Sequence, residues 1–159
     1  MLSKLRQRMA SEESGFTLVE LLVVMLIIGL LAAIAIPAFF NQREKAYDAN
    51  AKEQARTAET AMETYATDNG GVYTGVGTAD LVAIEPSLSD AVSTTRPYLT
   101  NAAATGATDK GWTLTVTSPK TGNTFTIART EGSSALTFTC GPAPGGKAGC
   151  PTSQVWAEG

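Results

Sequence analysis

Residues 16–40, FTLVELLVVMLIIGLLAAIAIPAFF, form the most apolar stretch of this 159-residue chain, and Glu20 is the one charged residue in it. As an α-helix this stretch would extend about 38 Å, which exceeds the ~30 Å hydrocarbon thickness of a bilayer. The chain after Asn41 is instead rich in Thr, Ala, Gly and Ser. We therefore expect a membrane-spanning helix followed by a water-exposed domain.

Three cations, Lys4, Arg6 and Arg8, precede the apolar stretch. Because positive residues beside a membrane span stay on the cytoplasmic side, they predict a cytoplasmic N-terminus and place the chain beyond Phe40 outside. The precursor is thus expected to be a single-pass protein of the cytoplasmic membrane.

A secretory signal peptide is an alternative interpretation, because Ala33-Ile34-Ala35 matches the small-x-small cleavage pattern. A secreted monomer would then begin near Ile36. The apolar cores of such signals usually run about 7 to 15 residues, and the run here is longer and contains a carboxylate. An uncleaved membrane anchor is a second alternative, and neither alternative accounts for Glu20.

Glu20 would cost roughly 2.5 to 3.5 kcal/mol in a lipid-facing helix. No basic residue lies between Arg8 and Arg43. Cleavage between Gly15 and Phe16 would create an α-amino group one turn away, and a neighbouring copy could also present its amine to this carboxylate. Such a pair would select one axial stagger between copies, since any other stagger leaves a buried charge unpaired. A Glu near the lipid headgroups is the alternative.

The string Gly15-Phe16-Thr17-Leu18-Val19-Glu20, with its basic leader and apolar run, resembles the processing motif of type IV prepilins and pseudopilins. The resemblance covers residues 1 to about 65. It implies that residues 1–15 are a leader, that prepilin peptidase cleaves after Gly15, and that Phe16 is N-methylated. It also implies that Phe16 and Glu20 guide docking of a subunit into a filament.

Gly29 and Pro37 match positions where the helix of such subunits can lose regular structure after assembly. Pro37 has no N–H to donate to the Ala33 carbonyl, and Gly29 is a weaker helix former than Ala by about 1 kcal/mol. We therefore expect the helix to soften between them. The alternative is that Gly and Pro are simply more frequent in membrane helices.

The chain from residue 41 to 69 predicts an amphipathic continuation of the same helix. Small and aromatic residues recur there at steps of three or four, which places them on one helix face: Tyr47, Ala51, Ala55, Ala58, Met62 and Tyr65. Asp68-Asn69-Gly70-Gly71 predicts the helix end. One helix is thus expected from residue 17 to about 68, with this face packed against the protein's own sheet.

Charged pairs on the remaining positions indicate an exposed helix face. Asp48 with Lys52, and Glu53 with Arg56, have the separation that lightly supports solvent-exposed helix. Residues 70–110 are expected to connect the helix to the sheet. Within that region, TADLVAI predicts a short helix capped by Thr78 that ends before Pro86, and the rest is expected to be loop.

Residues 111–159 carry the signals of an antiparallel sheet. Apolar residues alternate with threonines in three runs separated by turns, with these apolar members: Trp112, Leu114 and Val116; Phe125 and Ile127; Leu136, Phe138 and Cys140. The patterns therefore predict the α+β fold class, with one long N-terminal helix on a small antiparallel sheet of three to four strands, and the resemblance implies a type IV pilin-like fold.

Cys140 and Cys150 are the two cysteines of the chain. In a Gly- and Pro-rich stretch of an exported domain they predict one disulfide, with free thiols or a metal site as weaker alternatives. By resemblance, the loop between them is the disulfide-bounded C-terminal region of pilins, which is often surface exposed in filaments.

The composition argues against enzymes and nucleic-acid binders. The chain contains no histidine, which removes the usual general base and the commonest zinc ligand. A formal charge of −3 opposes direct nucleic-acid binding. No phosphate-binding GxxxxGK[ST] motif is present. We expect no catalytic residue, no metal and no cofactor.

The residues and the resemblance together predict a structural subunit of an extracellular type IV pilus-like filament, polymerised through its N-terminal helix. The implied partners are copies of itself in a helical filament, the cytoplasmic membrane before assembly, prepilin peptidase and a pilus assembly platform. The assembled protein would lie at the cell surface.

Other functions remain open. Residues 65–73 resemble the helix-end segment of type II secretion pseudopilins, whereas the cysteine pair and the lack of a calcium-binding Asp cluster oppose that alternative. A competence-type pseudopilus is a further alternative, in which the chain is again a pseudopilin. From a different class, a membrane-tethered binding domain that never assembles would retain Met1.

Overall fold

A computed structural model describes residues 15–141 and 148–157. The predicted leader up to residue 14, and residues 142–147 of the predicted C-terminal loop, lie outside the described residues. The chain divides into two compact units, Met1–Phe39 and Phe40–Gly159. Its elements in chain order are α1 (Leu18–Asp68), α2 (Thr78–Ile84), β1 (Tyr98–Thr105), β2 (Gly111–Thr117), β3 (Thr124–Arg129) and β4 (Leu136–Gly141).

The long helix α1 confirms the prediction from the apolar and amphipathic patterns, and it begins one residue later than expected. It ends at Asp68, where the Gly71 N–H donates to the Ala66 carbonyl at 2.7 Å. Gly70 has φ +71°, a left-handed conformation that glycine adopts without the cost of a Cβ. The Asn-Gly-Gly sequence therefore stops the helix as predicted.

The short helix α2 confirms the predicted element, but the predicted cap is wrong. Thr78 is the first helical residue, and Gly77 is the N-cap. The Asp80 carboxylate instead accepts the Gly77 N–H at 2.8 Å, so an acid in the first turn stabilises the helix start. The helix ends before Pro86, as the restriction on residues that precede proline predicts.

The four strands form one antiparallel sheet in the order β1-β2-β3-β4. The three strands predicted from alternation are confirmed, with Leu114 opposite Ile127 and Ile127 opposite Phe138. These pairs align the large apolar side chains on one face. A sheet built from sequential hairpins needs only short turns, which fits the Gly-containing segments between the strands.

Strand β1 corrects the expectation that the chain after α2 is loop as far as residue 110. Tyr98–Thr105 pairs along β2, with an irregularity between Leu99 and Asn101. Alanine and asparagine have low strand propensity, and the irregularity shifts the side-chain alternation, so the sequence pattern of a strand is lost. Burial of the Leu99 and Ala102 side chains compensates for that weak local preference.

The core of the second unit lies between α1 and one face of the sheet. The predicted small-residue face is confirmed, because Ala51, Ala55, Ala58 and Met62 are all fully buried. The sheet contributes the large members of this core: Trp112, Leu114, Val116, Phe125 and Ile127. Small alanine side chains on the helix and large side chains on the sheet together fill the space between the two.

We expect an enlarged side chain at Ala55 to destabilise this core. Ala55→Leu should lower the free energy of unfolding by about 1–3 kcal/mol, because a close-packed interior has no room for the added carbons. Ala49→Leu is the matched control, since Ala49 is exposed on the same helix and surface changes usually stay within about 0.5 kcal/mol. Urea unfolding of the full chain in detergent micelles measures both variants, and equal stabilities would contradict this packing.

Candidate functional site

The predicted cleavage site lies just before α1. Gly15 and Phe16 have no regular secondary structure and both are exposed, and the Phe16 side chain is 85% exposed. Exposed, irregular backbone is where proteases act most readily. This geometry is compatible with cleavage between Gly15 and Phe16, and the cleavage and methylation remain predictions.

Glu20 forms reciprocal hydrogen bonds with Thr17 at the start of α1. Its carboxylate accepts the Thr17 N–H at 3.1 Å and the Thr17 hydroxyl at 3.0 Å. In return the Glu20 N–H donates to the Thr17 hydroxyl at 3.2 Å. This arrangement is a capping box, which satisfies orphan donors at a helix N-terminus.

The capping box corrects one step of the sequence argument. We expected Glu20 to lack a partner until cleavage exposed an amine, whereas Thr17 supplies hydrogen bonds in the uncleaved chain. Thr17 is neutral, however, so it leaves the negative charge uncompensated. The predicted pairing of Glu20 with the amine of Phe16 in another copy would therefore compensate the negative charge of Glu20. It is not needed to supply hydrogen bonds, because Thr17 already provides them.

The apolar part of α1 exposes its side chains on all sides. The large hydrophobic residues among positions 18–40 are 48% to 74% exposed. The helix is long and apolar enough to cross a membrane, and none of its most apolar window is buried. Soluble monomers rarely expose apolar patches above a few hundred Å², so this surface requires lipid or other protein around it.

Gly29 and Pro37 both lie inside α1, which is continuous through them. A Cβ at Gly29 would meet nothing within 4 Å, so within the described protomer no close contact requires glycine there. The softening predicted for these positions concerns an assembled filament, and it remains a prediction.

In the second unit, a carboxylate on α1 holds two distant segments. Asp48 is fully buried. It accepts hydrogen bonds from the Thr121 hydroxyl, from the Asn123 amide at 2.7 Å and from the Gly149 N–H at 2.8 Å. These donors belong to the β2–β3 turn and to the segment beside Cys150. A buried carboxylate with several donors joins these segments to the helix at one point.

Lys52 completes this cluster one turn along α1. Its ammonium donates to the Gly149 carbonyl at 2.7 Å. Burial lowers the pKa of Lys52, and the neighbouring Asp48 carboxylate opposes that shift. A Cβ at Gly149 would lie 2.6 Å from the Asp48 Cβ, so this close approach needs glycine.

The prediction that Asp48 and Lys52 form a pair on an exposed helix face is therefore wrong about exposure. The two residues do neighbour each other, but Asp48 is buried under the sheet turn. Its spacing of three and seven residues from Ala51 and Ala55 places it on the buried face, and this signal could have identified it. The second predicted pair also differs, because Arg56 bridges Glu59 at 3.5 Å instead of Glu53.

A second polar cluster forms around Glu63 farther along α1. Its carboxylate accepts the Trp112 indole N–H at 3.1 Å and the Tyr73 hydroxyl at 2.9 Å. Arg129 forms an ion pair with it at 3.0 Å, and also donates to the Tyr73 hydroxyl. Burial, followed by the hydrogen bond to Glu63, raises the pKa of Tyr73 to about 12. Tyr73 therefore stays neutral at physiological pH.

The predicted disulfide is present between Cys140 and Cys150, with 5.8 Å between the Cα atoms. The chain after it runs along β4, where the Cys140 N–H donates to the Gln154 carbonyl at 2.8 Å. The Trp156 ring packs edge-on against Phe138 with 5.2 Å between ring centroids. Sequence reasoning missed Trp156, because it lies outside any alternating pattern.

The described residues contain no group of three or more His, Cys, Asp or Glu side chains that could hold a metal ion. The buried carboxylate of Asp48 is occupied by protein donors. Both polar clusters thus join secondary-structure elements. The exposed apolar helix and its N-terminal residues remain available for interaction with other molecules.

Comparison with known proteins yields one family match and several partial relatives. Residues 11–36 match the family model of the prokaryotic N-terminal methylation motif. The chain is 33% identical to the type II secretion system core protein G of Aeromonas hydrophila over 75 residues, which is 47% of this chain and 52% of that protein. No solved structure shows a significant match.

Two pilins give similar partial matches. The type IV major fimbrial protein FimA of Dichelobacter nodosus is 42% identical over 60 residues, or 38% of each chain. The type IV major pilin protein PilA of Myxococcus xanthus is 43% identical over 51 residues, or 32% of this chain and 23% of that protein. The chain spans about half the length of these relatives or less. The matches confirm a prepilin-like, pseudopilin-related protein.

We expect removal of the Asp48 carboxylate to destabilise the second unit strongly. Asp48→Ala should lower the free energy of unfolding by about 3 kcal/mol, because it leaves one buried and two partly buried donors without their acceptor. Urea unfolding of the full chain in micelles, followed by tryptophan fluorescence, measures the change.

Glu53→Ala is the matched control, since Glu53 is an exposed acid on the same helix. It should change the stability by no more than about 0.5 kcal/mol. Equal effects of the two substitutions would contradict the role assigned to Asp48.

Proposed function

We propose that this prepilin-like chain is a structural subunit of a type IV pilus-like filament. It enters the cytoplasmic membrane with its N-terminus on the cytoplasmic side, prepilin peptidase cleaves it after Gly15 and methylates Phe16, and an assembly platform polymerises it through α1. The mature subunit begins at Phe16 and lies at the cell surface after assembly.

The observation that carries this proposal is the uncovered apolar surface of α1 in a chain that has an N-terminal methylation motif. No residue in the most apolar window of the helix is buried within the protein, and residues 11–36 match the motif. Lipid and identical helices both cover such a surface. A bundle of identical helices can therefore replace the bilayer around each subunit.

Glu20 supplies the selectivity that apolar packing lacks. Contacts among Leu, Val and Ile side chains tolerate many axial offsets between neighbouring helices. A carboxylate opposite the amine of Phe16 favours one offset, because other offsets leave both charges unpaired in an apolar core. Gly29 and Pro37 then give the packed helix the freedom to stretch.

A type II secretion pseudopilus is the second candidate function. The similarity to the core protein G of several type II secretion systems, including that of Escherichia coli at 37% identity over 62 residues, favours it. The same helix, motif and acid would then build a short periplasmic fibre in place of a surface filament.

We expect Glu20→Ala to insert in the membrane normally and to form few or no filaments, because it removes the charge that fixes the stagger. Thr17→Ala is the matched variant. It removes the hydroxyl of the capping box and leaves the carboxylate, so it should weaken the helix start by about 0.5–2 kcal/mol and still assemble.

Electron microscopy of sheared surface material, with immunoblots of the membrane fraction, distinguishes these outcomes. Normal filaments from Glu20→Ala would contradict the charge argument. Equal loss of filaments in both variants would show that Glu20 acts through helix capping alone.

A further inference from the structure

The part of α1 that begins at the last residue of the apolar stretch forms a groove with the β2–β3 turn. The groove has a volume of about 270 Å³ and is lined by Phe40, Arg43, Glu44, Tyr47 and Lys120. We call it the basic groove. All five residues belong to the second unit. Two cations and one carboxylate line it, so the groove carries a net charge of +1.

The fold brings the two cations of the basic groove together from distant parts of the sequence. Arg43 lies on α1, with its guanidinium 5.9 Å from the centroid of the Tyr47 ring. Lys120 lies in the β2–β3 turn, which the Thr121 hydroxyl fastens to Asp48. Because Asp48 directly follows Tyr47, the buried carboxylate holds Lys120 beside the helix segment that carries Arg43.

The position along α1 relates the basic groove to the membrane. The apolar stretch ends at Phe40, so Arg43 follows by about 4.5 Å and Tyr47 by about 10 Å along a helix. The polar headgroup layer of a bilayer leaflet is roughly 5–8 Å thick. Aromatic and cationic side chains concentrate in this layer.

We propose that the basic groove binds the phosphate of an anionic phospholipid headgroup while the chain is anchored in the membrane. The proposal rests on the membrane-anchored precursor of the proposed function. Arg43 supplies planar donors that match phosphate oxygens, and Lys120 supplies a compact positive charge. Because the net charge is positive, a lipid with net negative charge fits better than a zwitterionic one.

The test measures acetylation of lysines by a membrane-impermeant reagent on the full chain reconstituted in vesicles. The vesicles contain phosphatidylcholine alone or a mixture with phosphatidylglycerol, and mass spectrometry gives the rate at each lysine. We expect Lys120 to react about fivefold more slowly in the mixture. Lys110 is exposed at the opposite end of β2, and its rate should stay unchanged.

Lys45 is the matched control for the general surface potential. It is exposed two residues beyond Arg43 and does not line the basic groove. Arg43→Gln should abolish the extra protection of Lys120 relative to Lys45. Equal slowing of Lys45 and Lys120, or full protection in Arg43→Gln, would overturn the proposal.

Two further arms identify the source of the phosphate. Soluble glycerophosphate at the same total concentration, added to phosphatidylcholine vesicles, should leave Lys120 reactive, and equal protection would overturn a lipid site. Protection that rises with the protein-to-lipid ratio in phosphatidylcholine alone would indicate a second copy and would also overturn it.

Flotation of the vesicles separates this proposal from the proposed function. A chain that floats with both vesicle types but shows no selective protection of Lys120 contradicts the basic groove alone. A chain that does not float contradicts the membrane-anchored precursor.

Discussion

The uncovered apolar surface of α1 is the constraint on which the rest of the structure depends. A helix satisfies its own backbone hydrogen bonds, so it is stable wherever its side chains are surrounded by apolar material. Lipid and identical helices are nearly equivalent in this respect, because hydrocarbon tails are as apolar as leucine. Apolar burial alone therefore gives little preference between membrane and filament. A polar group must supply that preference, and within residues 16–40 only Glu20 carries a charge.

The second unit must remain folded whether the apolar helix lies in the membrane or in a filament. Its core is thin on the helix side, where alanines predominate among the buried residues. Charged side chains of α1 add hydrogen bonds and an ion pair, which alanine side chains cannot form. Asp48 holds the β2–β3 turn and the segment beside Cys150, and Glu63 holds Trp112 and Arg129. The disulfide then restricts the C-terminal segment.

Local patterns in the sequence predicted the elements whose structure is determined by residues close together in the chain. The long helix, the buried alanine face and strands β2 to β4 follow from periodicity, and the helix end follows from glycine conformation. Strand β1 has no such pattern, because pairing with β2 and burial of Leu99 override its weak propensity. Asp48 and Gly149 are separated by 101 positions, so no local signal shows that they meet. The N-terminal motif was readable because its residues are contiguous.

The mass of the protein from its native cells tests the central claim most directly, because cleavage creates the amine that Glu20 is proposed to pair with. Mass spectrometry of the intact chain and of its N-terminal peptide should show that the protein begins at Phe16 and carries one methyl group on that amine. A chain that retains Met1, or one that begins near Ile36, would contradict the account.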